Sequence, residues 1–214
     1  MVCALLRISI LKTILFNLHY FGRAGLKFPV LVGKNFIFKK LRGGVKVESY
    51  RTANIRIGFD GTGICDERYQ RGIWHVDGDV FLGENVRIAA GVKVSCAETG
   101  ELRIGKNSSI NVNSQLICMD NISLGENVMI SWDDLIMDSD FHQIHTEGNT
   151  KSISESIEIC DNVWICCRAL ILKGCKIPEG CFIAANSTIG KKYVENNCLI
   201  STRGIIKKNI SWER

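Results

Sequence analysis

From Ile159 onward the chain places an isoleucine at every sixth residue: Ile159, Ile165, Ile171, Ile177, Ile183 and Ile189. Four positions after each stand Val163, Ala169, Cys175, Cys181, Ser187 and Tyr193, mostly small residues. The same frame runs earlier through Leu82, Ile88 and Val94, then Ile104, Ile110 and Leu116, then Leu124, Ile130 and Ile136. Short insertions separate the blocks. Glycine follows the aliphatic at Gly83, Gly105, Gly125 and Gly190. Asparagine stands three residues after it at Asn85, Asn107, Asn113, Asn127, Asn162 and Asn186.

A helix repeats near 3.6 residues and a strand alternates at 2, so a period of six matches neither alone. Six residues suit a short strand plus a turn, with one aliphatic pointing inward from each flat face. Three such faces close a triangular coil, and stacked coils bury a continuous aliphatic column while parallel ladders satisfy the backbone. The pattern therefore predicts an all-β solenoid, a parallel β-helix of hexapeptide repeats. Gly and Asn are expected at corners, where the backbone favours positive φ.

The organisation follows from the frame. Residues 1–40 read as an N-terminal helical segment with a basic end at Lys34, Lys39, Lys40 and Arg42. Residues 41–200 read as the β-helix; 41–79 form irregular first coils, with a degenerate I-R-I-G repeat at 55–58. One long interruption, 137–156, leaves the scaffold. Residues 201–214 read as a C-terminal cap that hides the open edge of the last coil.

The apolar run over residues 4–21 is broken by Arg7, Ser9, Lys12, Asn17 and His19. A spanning helix needs roughly 20 mostly apolar residues without such charges, and no small-residue cleavage site follows. The run reads as an amphipathic helix that packs on the domain, on a partner subunit or on the inner membrane surface. A net charge of +5 is mild. It suits an anionic cofactor or a membrane surface, but no Lys/Arg stripe with interleaved aromatics marks a nucleic-acid partner. Ten cysteines occur without any Cys-x-x-Cys, and Cys160/Cys166 and Cys175/Cys181 keep the six-residue spacing. They read as small apolar residues of the scaffold, reduced in a cytoplasm.

Long loops leaving a rigid scaffold are where chemistry concentrates. The interruption opens M-D-S-D-F-H-Q-I-H, with Asp138 and Asp140 before His142, and His145 beyond. A histidine there is a candidate general base, since imidazole, with an unperturbed pKa of roughly 6.5, exchanges a proton near neutrality. Asp140, two residues away, is positioned to orient the ring if the segment is extended. An oxyanion donor is expected from a backbone N–H of a coil turn. On the bland reading His142 and His145 are surface residues, Asp138 and Asp140 are solvated turn formers, and Trp164 is a packing aromatic.

The hexads, the D-S-D-F-H loop, the D-N-V-W-I string at 161–165 and the I-I-K-K-N-I at 205–210 resemble hexapeptide-repeat O-acetyltransferases. The resemblance is closest to the branch that modifies capsular or lipopolysaccharide sugars, and it covers about residues 80–210. It implies a left-handed β-helix, a homotrimer, and an active site between two subunits with acetyl-CoA along the coil edges. It implies His142 as general base, Trp164 lining the site, Cys167, Ala185, Ser187 and Lys191 on the cofactor side, and Asn111, Asn113 and Asp120 on the acceptor side. The chain departs from the family in having Gln143 where proline usually follows the histidine. Cys166, Cys167 and Arg168 replace small residues after W-I, and Ser201–Gly204 replaces the usual G-N-P-A. The function implied is transfer of acetyl to a sugar hydroxyl of a polysaccharide or glycan precursor, in the cytoplasm or at the inner membrane face, with no metal. The alternatives are N-acetylation of an amino sugar nucleotide and a non-catalytic β-helix scaffold. A γ-carbonic-anhydrase-type metalloenzyme needs more suitably placed histidines than the chain offers.

Overall fold

The structure, a computed structural model, describes residues 7–213 apart from 60, 62, 64, 67, 68, 147 and 148. Its body is a left-handed parallel β-helix with three flat faces. Three sheets of nine, seven and six strands run its length, and apart from one terminal hairpin every pairing in them is parallel.

The six-residue frame becomes three internal columns. On the first face Val32, Ile57, Ile88, Ile110, Ile130, Ile165, Ile183 and Ile200 stack in register. On the second the column is Trp74, Val94, Leu116, Ile136, Ile171 and Ile189. On the third it is Leu82, Ile104, Leu124, Ile159 and Ile177. None of these side chains is more than 1% exposed. The unbroken run from Ile159 to Ile189 thus visits third, first and second face twice. The residues four places on, Val163, Ala169, Cys175, Cys181 and Ser187, are buried at the corners, where only small side chains fit.

All six asparagines of the frame adopt left-handed φ, between 55° and 64°. A left-handed L-residue costs roughly 1–2 kcal/mol, least for Asn. Stacked corners recover part of this: Asn85 Nδ2 donates to Asn107 Oδ1 at 3.1 Å, and Asn127 Nδ2 to Asn162 Oδ1 at 3.2 Å. The glycines after the aliphatics have a different reason from the one expected. Gly83, Gly105 and Gly125 do not have positive φ. A Cβ on Gly105 would stand 2.3 Å from the carbonyl oxygen of Gly125, and one on Gly125 would stand 2.3 Å from Asp161 Oδ1. These positions are glycine because the next coil lies against them.

The N-terminal segment is shorter as a helix than the sequence suggested. Helix α1 spans Ile10–Phe21, capped by Ser9, and a 3-10 turn, Gly22–Lys27, follows. Pro29 then bars helix from the residue before it, and the solenoid has begun by Val30. Val30–Val32 pairs with Ile55–Ile57, and Phe36–Leu41 with Gly72–Val76. The alternating V-L-V and F-I-F carried this strand signal inside the stretch read as helical. At the other end Gly204–Lys207 turns back antiparallel on Leu199–Ser201, covering the last parallel edge of the first face.

Ile171 sits between Ile136 and Ile189 with no exposure. Ile171→Ala is expected to lower unfolding free energy by about 2–5 kcal/mol, read from the denaturant midpoint. Ile171→Asp, which buries an unpaired charge, is expected to abolish soluble folded protein. A soluble Ile171→Asp with native circular dichroism would refute the internal column.

Candidate functional site

The chain leaves the scaffold between the strand Leu135–Met137 of the second face and Ile157–Ile159 of the third. The excursion is anchored at its root by residues that read as solvated in the sequence. Asp138 is fully buried, and its carboxylate accepts from Met119 N at 2.7 Å and Asp120 N at 2.9 Å. Glu155 N donates to the Asp138 carbonyl at 3.0 Å, and Asp140 N to that of Ile153 at 2.9 Å, so the two strands of the root are zipped together. Ser139 Oγ, also buried, accepts from Phe141 N at 3.0 Å. Lys173 reaches the loop from the next coil. Its ammonium pairs with Asp140 Oδ2 at 2.7 Å and donates to the carbonyls of Ser152 and Ile153. No spacing signal in the sequence marked Lys173, because its role depends on which coil stacks on the far side of the loop.

The rigid root presents His142 to solvent. Phe141 immediately before it has φ 61°, uncommon for a bulky aromatic, and its half-exposed ring points outward. Such strain persists only where the surroundings over-determine it, as the zipped root does here. His142 Nδ1 faces the backbone carbonyl of Asp140 at 3.3 Å. A carbonyl only accepts, so the contact requires N–H at Nδ1 and leaves the Nε2 lone pair open. The orienting group is therefore the main chain of Asp140; its carboxylate, expected to do this, is held by Lys173. His145 lies beyond, on a two-residue ribbon pairing His145 with Thr150, and its Nδ1 meets Thr150 Oγ1 at 3.3 Å.

The other candidates divide between two edges of the prism. Asp120 lies on the edge between second and third faces, directly below the loop, and is exposed. Lys191 lies on the same edge, its ammonium 5.3 Å from the Tyr193 ring centroid. Asn111, Asn113, Cys167, Ala185 and Ser187 lie on the edge between first and second faces. Asn111 Nδ2 is spent on the Ile130 carbonyl at 2.7 Å, Asn113 is a left-handed corner, and the Ser187 side chain is buried. Trp164 leads to that edge from the outer side of the first face. It packs on Phe182 and Trp212 at 5.7 and 5.8 Å, and its Nε1 donates to Ser131 Oγ at 3.0 Å. In a three-faced coil the second–third edge is opposite the first face. One protomer therefore does not bring its own His142 to its own Trp164.

The Trp164 edge suits a slender, amide-bearing ligand. Cys166, Cys167, Ala184 and Ala185 are small and partly or fully exposed on successive coils. Among the described residues no backbone carbonyl accepts from the N–H groups of Cys167 or Ala185. An acyl-CoA pantetheine arm, with its own amides, fits that chemistry. Among the described residues no group of three His, Cys, Asp or Glu side chains converges as metal ligands.

Beside this edge, Asp134 is 1% exposed. Its Oδ1 accepts from Ala169 N at 2.7 Å, and its Oδ2 has no partner. Burial pushes its carboxyl up to about 8.

Residues 156–191 match the family "Bacterial transferase hexapeptide (six repeats)". The match covers the segment in which the six-residue frame runs unbroken. The chain is 29% identical over 199 residues, 88% of this chain and 86% of the relative, to an uncharacterized 24.8 kDa protein in the cps region of Klebsiella pneumoniae. Among solved structures it resembles the polySia specific acetyltransferase NeuO, with a TM-score of 0.60 at 22% identity, over 87% of this chain and 79% of that one. It also resembles the polysialic acid O-acetyltransferase OatWY, with a TM-score of 0.54 at 21% identity, over 86% and 87% of the two chains. These likenesses establish the fold.

Asp134 makes a pH prediction with a definite sign. Its folded pKa stands above the ordinary carboxylate value, so the native state holds the proton more tightly than the unfolded chain. This contribution to stability is full below about pH 4 and is lost as pH rises toward 8. Asp134→Asn, which keeps the Oδ1 acceptor, is expected to match wild type in melting temperature near pH 3.5 and to exceed it by several degrees at pH 8.5. Parallel melting curves at both pH values would contradict a buried neutral acid.

Proposed function

We propose that the protein is an acetyl-CoA-dependent O-acetyltransferase that acylates a sugar hydroxyl of a polysaccharide or glycan precursor, with His142 as general base. The observation that carries this reading is His142 itself: a histidine on a stapled loop, its Nδ1 committed to a backbone carbonyl and its Nε2 open to solvent. The chemistry balances with one base. Acetyl-CoA supplies an already activated acyl group. Nε2 takes the proton as the acceptor oxygen bonds the acyl carbon, and gives it to the sulfur as the C–S bond breaks. The free N–H groups of Cys167 and Ala185 are suited to hold pantetheine carbonyls or the developing oxyanion. The cps-region relative and the polysialic acid acetyltransferase folds support a glycan acceptor in preference to a small metabolite.

The same geometry supports a homotrimer. The loop edge and the Trp164 face are different patches on one protomer, so joining them across a contact is heterologous, and a heterologous contact whose rotation closes forms a ring. A three-fold ring would place His142 of one copy against Trp164 and the Cys167–Ala185 edge of the next. Asp120, below the loop, then faces the acceptor, and Lys191 lies beside the same groove. We assign the enzyme to the cytoplasm, where acetyl-CoA is available.

Thiol release from acetyl-CoA, screened against neutral and acidic glycans with an amino sugar included, tests the reading. His142→Ala is expected to keep the fold and acetyl-CoA affinity while turnover falls by roughly 10²–10⁴. His145→Ala is expected to fall far less. Near-normal turnover in His142→Ala would remove the proposed base. Acylation of the amino sugar alone would replace the hydroxyl acceptor.

A further inference from the structure

Helix α1 closes the N-terminal end of the solenoid with apolar residues on both its sides. The side turned to the protein carries Thr13, Phe16, Asn17 and Phe21, all buried. Thr13 and Asn17 serve the open edge of the first-face sheet. Val32 N donates to Thr13 Oγ1 and Val30 N to Asn17 Oδ1, both at 3.1 Å, while Asn17 Nδ2 donates to the Val30 carbonyl at 2.7 Å. The side turned outward is aliphatic. Ile10 is 70% exposed, Leu11 82% and Leu15 51%, with Ile14 and Leu18 in the same stripe. Leu26, just past the helix, is exposed as well. A contiguous exposed apolar patch on a folded domain marks an interaction surface.

The charge around the patch selects the occupant. Residues 1–47 hold nine Lys and Arg and no Asp or Glu. Residues 48–214 hold 18 Lys and Arg against 22 Asp and Glu, a net of −4. The positive charge of the molecule is therefore gathered at this end. Arg23, Lys27, Lys34 and Lys39 are exposed there. At 12 residues the helix is about 18 Å long, too short to cross a hydrocarbon core. Apolar residues on one side of a short helix amid cations, with no carboxylate near in sequence, match the headgroup boundary of an anionic bilayer.

We propose that the N-terminal end of the solenoid is a membrane-docking surface, with α1 lying in the headgroup layer of an anionic phospholipid bilayer through Ile10, Leu11, Ile14, Leu15 and Leu18. The catalytic loop leaves the second face four strands beyond Phe36–Leu41, about 19 Å along the axis at strand spacing. Substitutions on the outer stripe therefore stay clear of it.

The test is co-sedimentation of the full-length protein with phosphatidylcholine vesicles and with vesicles containing phosphatidylglycerol. Binding is expected only to the anionic vesicles and is expected to weaken as salt is raised. Leu11→Gln/Leu15→Gln should lower the partition coefficient at least tenfold with unchanged circular dichroism and melting temperature. Arg23→Gln/Lys27→Gln should reduce binding and its salt dependence. Absence of wild-type binding to anionic vesicles would overturn the proposal, and so would equal binding by the leucine variant. A wild-type assembly that dissociates in Leu11→Gln/Leu15→Gln without lipid would also overturn it, by making the stripe a contact between copies of this chain.

Discussion

Everything in this molecule depends on one constraint: each coil must lie in register on the coil before it while three aliphatics fill a narrow interior. A fully buried aliphatic contributes roughly 1.5–3 kcal/mol relative to an exposed one, and the columns supply one from each face in nearly every coil. Register follows, because a slip of one residue would turn every column outward. The corners are then forced into left-handed backbone, where asparagine is tolerated, and the coil-to-coil spacing excludes a Cβ at Gly105 and Gly125.

A scaffold held this way lets a loop depart without loss. The interruption between Met137 and Ile157 costs the stack little because Ile136 pairs with Ile171 and Ile122 with Ile157 across it. Buried Asp138 and the clamp of Lys173 on Asp140 then convert a long excursion into a fixed platform for His142. The same stacking separates the histidine edge from the Trp164 face within one protomer.

Both ends of a solenoid are exposed edges, and the two ends here solve the problem differently. The C-terminal end folds Gly204–Lys207 back as a hairpin, with Trp212 packed on Trp164. The N-terminal end uses a helix whose inner side mixes core aromatics with Thr13 and Asn17, which satisfy the free N–H groups of Val32 and Val30. That choice leaves the aliphatic side of α1 outward.

The sequence by itself determined the solenoid. A period of six sustained from Ile159 to Ile189 has one structural meaning, and each isoleucine of that run is buried where the frame puts it. The asparagine corners were legible for the same reason, since left-handed φ is a local property. The loop and its histidine were legible as a break in the frame. What the sequence left open rests on contacts between residues far apart in the chain. The strands at Val30–Val32 and Phe36–Leu41 lay hidden in a stretch that reads as helical, because their partners are some 25 to 36 residues away. The glycine spacing looked like a demand for positive φ, whereas the next coil imposes it. Asp140 was expected to orient the imidazole and Asp138 carried no role beyond a loop charge, yet Asp138 binds backbone from the preceding coil and the Asp140 carboxylate a lysine from the following one. Only the tertiary structure decided these, because periodicity records which side of the wall a residue faces, while pairing across coils depends on where the chain stands after each full turn.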